Sequence, residues 1–496
     1  MATHKRQGQS GYSGPTLYWH DYETFGVDPR RDRPAQFAGI RTDLDFNIIG
    51  EPLSLYCRPA NDFLPAPEAC LVTGITPQKA LAEGVPEAEF IRQIHAEFSQ
   101  PNTCVVGYNN IRFDDEVTRT TLYRNFYDPY AREWQNGNSR WDIIDMLRLT
   151  HALRPEGIRW PTHADGKTSF RLEQLTAING ISHEAAHDAL SDVQATIAMA
   201  RLIKEKQPRL YDYVYRHRSK QSVAQLLNIA RPAPVLHVSS MYPAERGCIA
   251  LVAPLAAHPV NKNELIVYDL SVSPQPFLAL RPDEMAERLF TRQDALPEGC
   301  ARLPVKTVHI NKSPVLVPVT TLTAAAAEKW QLNVTRAQQN LAVLLAHADF
   351  SRNLQAVYKE SRSFEAVDDP DFMLYSGGFF SNDDRDRMEI VRQTVPQQLA
   401  SLDLPFQDQR LSEMLFRYRA RNYPEFLSED ENRRWDEFRL QRLTMNSHGA
   451  GLSLSELRER IALLKQTSDL DQKQQHILDA LLHYAESITN DLLVDA

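Results

Sequence analysis

Two acidic residues, Asp21 and Glu23, lie one position apart in the aromatic-rich segment YWHDYETFG at residues 18–26. The segment has the composition of a β-strand, in which alternate side chains point to the same face. Both carboxylates would then face the same way, and their repulsion would raise a pKa unless a cation lies between them. Mg²⁺ prefers hard oxygen ligands and is commonly held by one or two carboxylates together with phosphate and water. The pair indicates a divalent-cation site, although the same pattern also fits an exposed edge strand with two solvated acids.

Two later segments carry an acid that suits the same chemistry. In GYNNIRFDDEV, Asp114 follows a β-rich run and a turn, near the start of a helix, so its carboxylate can project back toward the strand. Its neighbours Asp115 and Glu116 are expected to be solvated acids of the first helical turn, where negative charge is favourable. In AHDALSDV, Asp192 falls within a helix and His187 comes five residues earlier.

The spacing of His187 and Asp192 predicts that they are not on one helix face. Five positions correspond to about 140° of rotation on a continuous helix. His187 is therefore expected on the approach loop, from which it can reach a water molecule. The alternative interpretation is an ordinary polar residue at a helix start.

The elements that must position these residues are predicted within the first two hundred residues. Strand patterns occur in TLYWHDYETF, QFAGIRTDLDF, LSLYCRP and TCVVGYNN, and helix patterns in EAEFIRQIHAEFS, FDDEVTRTTLYRNF, FRLEQLTAING and HDALSDVQATIAMARLIKEKQ. This order predicts an α/β layered domain. From about residue 235 to residue 319, short apolar runs that include FLALRP are separated by turn residues, which predicts a small β-barrel or sandwich. The remainder has helical patterns, and Ser453 and Glu456 have the spacing of a capping box.

Length and composition limit the class of protein. A chain of 496 residues with 43% hydrophobic and 24% charged residues is expected to form about three domains. The N-terminus is polar without an apolar signal segment, and no apolar run reaches the ~18 residues of a membrane helix. Five scattered cysteines without C-x-x-C spacing favour reduced thiols in a cytoplasm and argue against a zinc site or disulfides. The net charge of −9 requires any nucleic-acid binder to concentrate its positive charge locally.

Taken together, HDYETFG, GYNNIRFDDEV and HDALSDV resemble the three exonuclease motifs of the DEDDh superfamily. The segments RPAQFAGIRTD, YRNFYDPYA, SFRLEQLT and VHINK extend the resemblance to bacterial exonuclease I over nearly the whole chain. The resemblance implies an α/β fold, with a ribonuclease H-like exonuclease domain followed by a small SH3-like β-barrel domain and an α-helical C-terminal domain, wrapped around single-stranded DNA. The corresponding limits are a disordered tail at residues 1–14 and domains at 15–205, 206–362 and 363–496.

The resemblance also implies an activity. It predicts processive 3′→5′ degradation of single-stranded DNA to 5′-mononucleotides by two-metal-ion hydrolysis, in DNA repair and recombination. It assigns Asp21, Glu23, Asp114 and Asp192 to two Mg²⁺ ions, for which Mn²⁺ can substitute. It assigns His187 to the general base, and Glu23 also to the terminal 3′-hydroxyl. Two alternatives stay open: a 3′→5′ exoribonuclease of the same superfamily, and a non-catalytic single-strand-binding adaptor.

Further residues resemble positions that bind DNA or a partner in the family. Single strands are held by cations and by aromatic side chains on which bases stack. The predicted DNA contacts are Glu23, Arg119, Tyr130, Trp134, Arg148, Phe170, Arg171, Asn263, Lys306, Asn311, Lys312, Tyr375 and Phe379. The segment FRYRARNYP is a further basic–aromatic cluster or else a helix surface. The family also binds the acidic C-terminal tail of the single-stranded-DNA-binding protein, and Arg154 and Tyr213 match candidate positions for it. A monomer is expected.

Overall fold

The computed structural model of the chain describes residues 12–183, 187–359, 367–445, 451–467 and 469–494. These residues form two compact units. The first contains the described residues of 1–139, 183–194 and 365–496, and the second those of 140–182 and 195–364. Most of the predicted disordered tail and the predicted limit between residues 362 and 363 lie outside the described residues. The domain limits stay predictions.

The strands within the described residues are short and mostly buried. They are β1 Thr16–Thr24, β2 Pro34–Thr42, β3 Leu53–Tyr56, β4 Thr103–Gly107, β5 Ser139–Asp142, β6 Val235–Val238, β7 Ile249–Ala257, β8 Glu264–Asp269, β9 Val305–His309 and β10 Val315–Pro318.

The described residues also form α-helices along the whole chain. They are α1 Pro67–Thr73, α2 Pro77–Glu83, α3 Glu87–Phe98, α4 Asp114–Arg124, α5 Ile144–Leu153, α6 Leu172–Asn179, α7 Ala189–Lys206, α8 Pro208–Arg216, α9 Lys220–Leu226, α10 Pro282–Phe290, α11 Ala324–Lys329, α12 Val334–Ala346, α13 Ala348–Lys359, α14 Asn382–Gln393, α15 Gln409–Asn422, α16 Glu429–Thr444, α17 Leu454–Thr467 and α18 Gln472–Val494. None of these helices has both the length and the apolar composition needed to cross a bilayer.

In the first unit, β3, β2, β1 and β4 lie side by side in this order. β1 pairs antiparallel with β2 and parallel with β4, and Glu23 lies opposite Gln36. Because β1 and β4 are parallel, the residues that follow them meet at one edge of the sheet. Edges of this kind, at the carboxyl ends of strands, are common ligand sites in α/β folds.

The apolar face predicted for α3 packs in the core of this unit. Phe90, Ile94 and Phe98 are fully buried among residues of the sheet, including Tyr22 and Phe37. The predicted strands β1 to β4 and helices α3, α4, α6 and α7 are all present, with ends that differ by a few residues. The predicted capping box is also present, since Ser453 and Glu456 each accept from the other's backbone N–H.

The second unit contains the predicted β-barrel strands, in the order β10, β6, β7, β8, β9. All neighbouring strands in this sheet are antiparallel. The expectation that FLALRP is one of the strands is wrong, because its first residues close a turn of 3₁₀ helix at Gln275–Phe277 and the chain then enters α10. Phe277 is nevertheless buried, so the apolar run reflects burial and not strand pairing.

Candidate active site

The two acids of the first motif lie at the carboxyl-terminal end of β1. Asp21 is half-buried and Glu23 is 8% exposed. The third predicted acid, Asp114, begins α4 and is 4% exposed. Its Oδ1 accepts a hydrogen bond of 3.0 Å from the backbone N–H of Tyr22, the residue between the two strand acids. The carboxylate thus projects back toward the strand, as predicted.

The last motif reaches the same place from the start of α7. A carboxylate oxygen of Glu23, a ring nitrogen of His187 and a carboxylate oxygen of Asp192 all lie within 4.8 Å of one another. The backbone N–H of His187 donates to Oδ2 of Asp192 over 3.2 Å. His187 is exposed and lies in the turn before the helix, with φ of +66°. The prediction of an approach-loop histidine agrees with this placement.

The acids strongly disfavour one another's ionisation. Burial raises the pKa of Asp21 well above its usual range, and the next strongest influences are the carboxylates of Asp114, Glu23, Asp192 and Asp188. Burial, followed by Asp192, Asp114 and Asp188, raises the pKa of Glu23 to about 9. A set of hard oxygen ligands that repel one another in this way fits divalent cations, which would neutralise them.

Two residues at this site were missed by the motif reasoning. His183 contacts Oδ1 of Asp192 through its Nε2, and together with the hydrogen-bonded His187 backbone this holds both carboxylate oxygens of Asp192. Asp188 accepts at Oδ1 from the backbone N–H of Ser191 over 3.2 Å, which is the geometry of an N-cap of α7.

Asp188 also connects α7 to the sheet. Its Oδ2 accepts from Nε2 of Gln36 over 3.3 Å, and Gln36 lies opposite Glu23 in the β1–β2 pairing. Asp188 therefore fixes the first turn of α7 beside Glu23. Asp188 lies within the motif HDALSDV and His183 lies four residues before it, but only the fold reveals which partners they have.

The expectation that Asp115 and Glu116 are solvated is wrong. Asp115 is fully buried and pairs with the buried Arg132 over 2.6 Å. Glu116 is 4% exposed and accepts from Nη1 of Arg119 over 2.8 Å and from the hydroxyl of Tyr375 over 2.6 Å. Asp115 is thus paired with Arg132, 17 positions along the chain, whereas Glu116 pairs with Arg119 one helical turn away and gains a hydrogen bond from the distant Tyr375.

Of the predicted DNA contacts of the first unit, Arg119 and Tyr375 bind Glu116 directly. Arg119 is buried, binds Glu133 through Nε and Nη2, and lies 5.3 Å from the ring centre of Tyr130. The ring of Tyr130 lies 6.1 Å from that of Phe379, which is 82% exposed. Trp134 is also exposed, at 66%. Exposed rings of this size are available for base stacking, whereas Arg119 is enclosed by carboxylates.

The predicted contacts of the second unit lie in two places. Arg148 pairs with Asp145 and its guanidinium lies 5.6 Å from the ring centre of Phe170, while Arg171 is exposed just before α6. In the barrel, the partners of the predicted contacts are largely within the protein. Lys306 donates to the carbonyl of Met241, Asn263 accepts from Lys220, the carbonyl of Asn311 accepts from Arg140, and Lys312 donates its backbone N–H to the carbonyl of His309.

The two candidates for the partner tail are also in the second unit. Arg154 donates to the carbonyl of Thr321 over 3.1 Å. The ring of Tyr213 stacks on His217 at 4.0 Å, and its hydroxyl has no hydrogen-bond partner among the described residues. The other ambiguous cluster, FRYRARNYP, is not a surface, because Arg417 and Arg419 are buried and bound to carboxylates.

A strand–helix site of clustered acids with an adjacent histidine, on a mixed sheet, defines an exonuclease of the ribonuclease H-like fold. A family model described as "Exonuclease" matches residues 18–200, an Exonuclease I SH3-like domain matches 218–360, and an Exonuclease I C-terminal domain matches 368–488. Exodeoxyribonuclease I of Escherichia coli is 48% identical over 478 residues, which cover 96% of this chain and 99% of the relative. The chain belongs to the exodeoxyribonuclease I family.

Solved structures agree with this assignment over the same length. Exonuclease I from Methylocaldum szegediense is 53% identical with a TM-score of 0.92, and the match covers 96% of this chain and 100% of that one. A zinc-ion-bound form of an E. coli exonuclease I complex with single-stranded DNA is 48% identical with a TM-score of 0.90, with the same coverage. The predicted family, fold class and enzyme class are confirmed.

Proposed function

We propose that this chain removes mononucleotides from the 3′ end of single-stranded DNA by metal-dependent hydrolysis. One observation carries the proposal: carboxylates from β1, α4 and α7 gather at one edge of the sheet with an exposed histidine beside them. The family membership supports the same reaction. Degradation without release between steps, DNA repair and recombination, and a monomer in the cytoplasm are part of this proposal.

Asp21, Glu23, Asp114 and Asp192 would hold two Mg²⁺ ions, with Mn²⁺ as a substitute. Bound in this way, the ions supply a nucleophilic water and stabilise the charge on the attacking and leaving oxygens of the phosphodiester. Four carboxylates balance the charge of two divalent cations, which suits the raised pKa values of Asp21 and Glu23 in the metal-free protein.

His187 would accept a proton from the attacking water at a ring nitrogen. A neutral imidazole nitrogen can accept a proton and serve as a general base. Its exposure keeps the ring accessible to water, while its backbone bond to Asp192 holds it beside the acids. Glu23 would in addition accept a hydrogen bond from the terminal 3′-hydroxyl, which selects strand ends.

The single strand would be held by stacking on exposed rings and by cations along its backbone. Trp134, Tyr375 and Phe379 are the most exposed of the aromatic candidates. Arg148, Phe170, Arg171, Asn263, Lys306 and Asn311 are proposed as further contacts of the second unit.

A labelled-nucleotide assay tests this function. We expect 5′-mononucleotides to appear from 3′-labelled single-stranded DNA with Mg²⁺, and none with EDTA. Asp192→Asn should abolish release without abolishing binding, whereas Asp294→Asn, at a side chain 69% exposed in the second unit, should leave release unchanged. Faster release from RNA of the same sequence would favour an exoribonuclease, and binding without any release would favour an adaptor.

The acidic tail of the single-stranded-DNA-binding protein is proposed as a partner at Arg154 and Tyr213. An acidic tail requires a cation beside an apolar surface. Binding of a tail peptide, measured by fluorescence anisotropy, should weaken in Arg154→Ala and stay unchanged in Arg292→Ala, whose side chain is 85% exposed. Equal binding by both variants would contradict this partner site.

A further inference from the structure

Two exposed arginines lie on the loop of residues 26–33, which directly follows the strand that carries Asp21 and Glu23. The side chains of Arg30 and Arg31 are 59% and 55% exposed. Gly26 comes three residues after Glu23, so chain geometry keeps their Cα atoms within about 11 Å. Residues 26–33 carry three arginines and two aspartates on a chain whose net charge is −9, and Nε of Arg31 lies 3.7 Å from Oδ2 of Asp28.

The 26–33 loop is held in shape by its own hydrogen bonds. The backbone N–H of Phe25 donates to the carbonyl of Arg33 over 2.9 Å and closes the loop. Inside it, the backbone N–H of Asp28 donates to Oδ2 of Asp32 over 2.8 Å, and that of Arg30 to Oδ1 of Asp28 over 3.0 Å. Such side-chain-to-backbone bonds fix turns.

The loop is also attached to α4, the helix that begins with Asp114. The hydroxyl of Thr120 on α4 donates to the carbonyl of Pro29 over 3.1 Å. The two arginines are therefore presented by a loop that is joined to β1 and α4, two of the three acid-bearing elements.

Arg30 is further oriented by the aromatic candidate Tyr375. Its guanidinium carbon lies 4.7 Å from the centre of the Tyr375 ring, and its Nε lies 3.4 Å from Oε2 of Glu116. Glu116 already accepts from Arg119 and from the Tyr375 hydroxyl. Among the described residues, the two terminal nitrogens of Arg30 donate to no protein acceptor, which leaves them available to a ligand.

We propose that Arg30 and Arg31 bind backbone phosphates of the single strand close to its 3′ end, with Arg30 held in position by Tyr375. A guanidinium is planar and always charged, and it matches phosphate oxygens with two parallel hydrogen bonds. A stacked Arg30 would place a phosphate contact next to an aromatic ring, the combination that single-strand grooves use. The inference rests on the proposed function, because it requires a nucleic-acid strand at the acid cluster.

The test measures the salt dependence of DNA binding in the full chain with Asp192→Asn, which prevents degradation. Binding of a fluorescent oligodeoxynucleotide is followed by anisotropy between about 50 and 300 mM salt, because each phosphate contact to a single strand contributes about 0.7 to the slope of log K against log salt. Arg30→Ala with Arg31→Ala should reduce the slope by about 1.4. Arg30→Lys should keep the contribution of that position to the slope, because the charge is retained.

A control variant removes the same number of positive charges from two other exposed positions. Arg281→Ala with Arg292→Ala changes side chains that are 71% and 85% exposed in the second unit, and should leave the slope unchanged. An equal slope in the loop pair and in its parent, or an equal loss in both pairs, would overturn the inference. If the parent fails to bind DNA, the proposed function fails. If the parent binds DNA and the loop pair leaves the slope unchanged, as the control pair does, the inference alone fails.

Discussion

Burial and the neighbouring carboxylates favour the protonated forms of Glu23 and Asp21 in the metal-free protein, raising the pKa of Asp21 well above its usual range and that of Glu23 to about 9. Metal ions bind ionised carboxylates, so Mg²⁺ has to displace these protons. We expect Mg²⁺ binding to release protons and to strengthen between about pH 6 and pH 9.

Calorimetric titration with Mg²⁺ checks this expectation without any substrate. At one pH, the observed heat should differ between two buffers of different ionisation enthalpy, by an amount that gives the number of protons released. Glu23→Gln should reduce that number. Equal heats in the two buffers would show that the acids are already ionised and contradict the argument.

Asp188 offers a second prediction at this scale, because it has two separable effects. Its charge raises the pKa values of Asp21 and Glu23, and its side chain caps α7. Asn is as good an N-cap as Asp, so Asp188→Asn removes the charge and retains the cap. The acid limb of the pH–rate profile should then move to lower pH.

Asp188→Ala provides the comparison, since it removes both the charge and the cap. The loss of an N-cap costs about 1 kcal/mol of stability. The helical turn that would be weakened directly follows His187. We expect kcat to fall in this variant and to be largely retained in Asp188→Asn. A pH profile of Asp188→Asn that superimposes on that of the parent would contradict the electrostatic role.

At the scale of elements, local patterns predicted what depends on neighbours in sequence. The strand β1, the apolar face of α3 and the turn before α4 are each determined within a dozen residues, and each is present. The capping box at Ser453 is also determined by residues close in sequence, and it is present. The candidate acids could be gathered from the sequence because each lies at the end of such an element.

What the sequence did not predict depends on partners far along the chain. Asp115 is paired with Arg132, and Glu116 accepts a hydrogen bond from Tyr375, which lies 259 positions away. FLALRP has the apolar character of a strand but pairs with no strand among the described residues, and its Phe277 is buried as the last residue of a 3₁₀ helix. Partner choice at such distances is a property of the folded chain, so composition and spacing do not encode it locally.

Tyr375, which binds Glu116 of α4, and Phe379, four positions later, allow base stacking and protein stability to be tested separately. Phe379 is 82% exposed, so Phe379→Ala should weaken single-strand binding by the loss of a stacked base, about 1–3 kcal/mol, without changing the melting temperature. Tyr375→Phe keeps the ring but removes the hydrogen bond to the buried Glu116, a charge-assisted bond worth about 1.5–3 kcal/mol.

Tyr375→Phe should therefore mainly lower stability, whereas Phe379→Ala should mainly weaken DNA binding. The midpoint of thermal unfolding should be lower for Tyr375→Phe and unchanged for Phe379→Ala. The loss of affinity for an oligodeoxynucleotide, measured by anisotropy, should be larger for Phe379→Ala. A lower midpoint for Phe379→Ala would indicate that its ring packs in the protein and is not a stacking platform.

At the scale of the whole molecule, a buried ion-pair network joins the early part of the first unit to its C-terminal segment. Asp62 has a fully buried side chain and binds Arg421 over 2.8 Å, and Arg442 lies 3.6 Å away. Arg421 also binds Asp371 over 2.6 Å, and Asp371 binds Arg417 over 3.1 Å. Segments 300 or more residues apart in sequence are connected through these charges.

Such a network resists removal of any one charge, because its partners are left buried and unpaired. Asp62→Asn should destabilise the protein by about 3–5 kcal/mol, seen as a lower midpoint of urea-induced unfolding. Asp430→Asn, at a side chain 85% exposed, should change stability by less than about 0.5 kcal/mol. Equal midpoints for the two variants would show that the network contributes little.

The pH dependence of that difference follows from the ionisation of Asp62. Burial opposes ionisation, but Arg421, Arg442 and Arg33 more than offset it, so the pKa of Asp62 lies below its usual value near 4. A carboxyl with a lowered folded pKa contributes stability that is fully present above its unfolded pKa and is lost as the pH falls through the folded pKa. The gap between the parent and Asp62→Asn should therefore be constant from about pH 8 to pH 5 and shrink below about pH 4. A gap that widened on acidification would mean that Asp62 is destabilised, and not stabilised, by its surroundings.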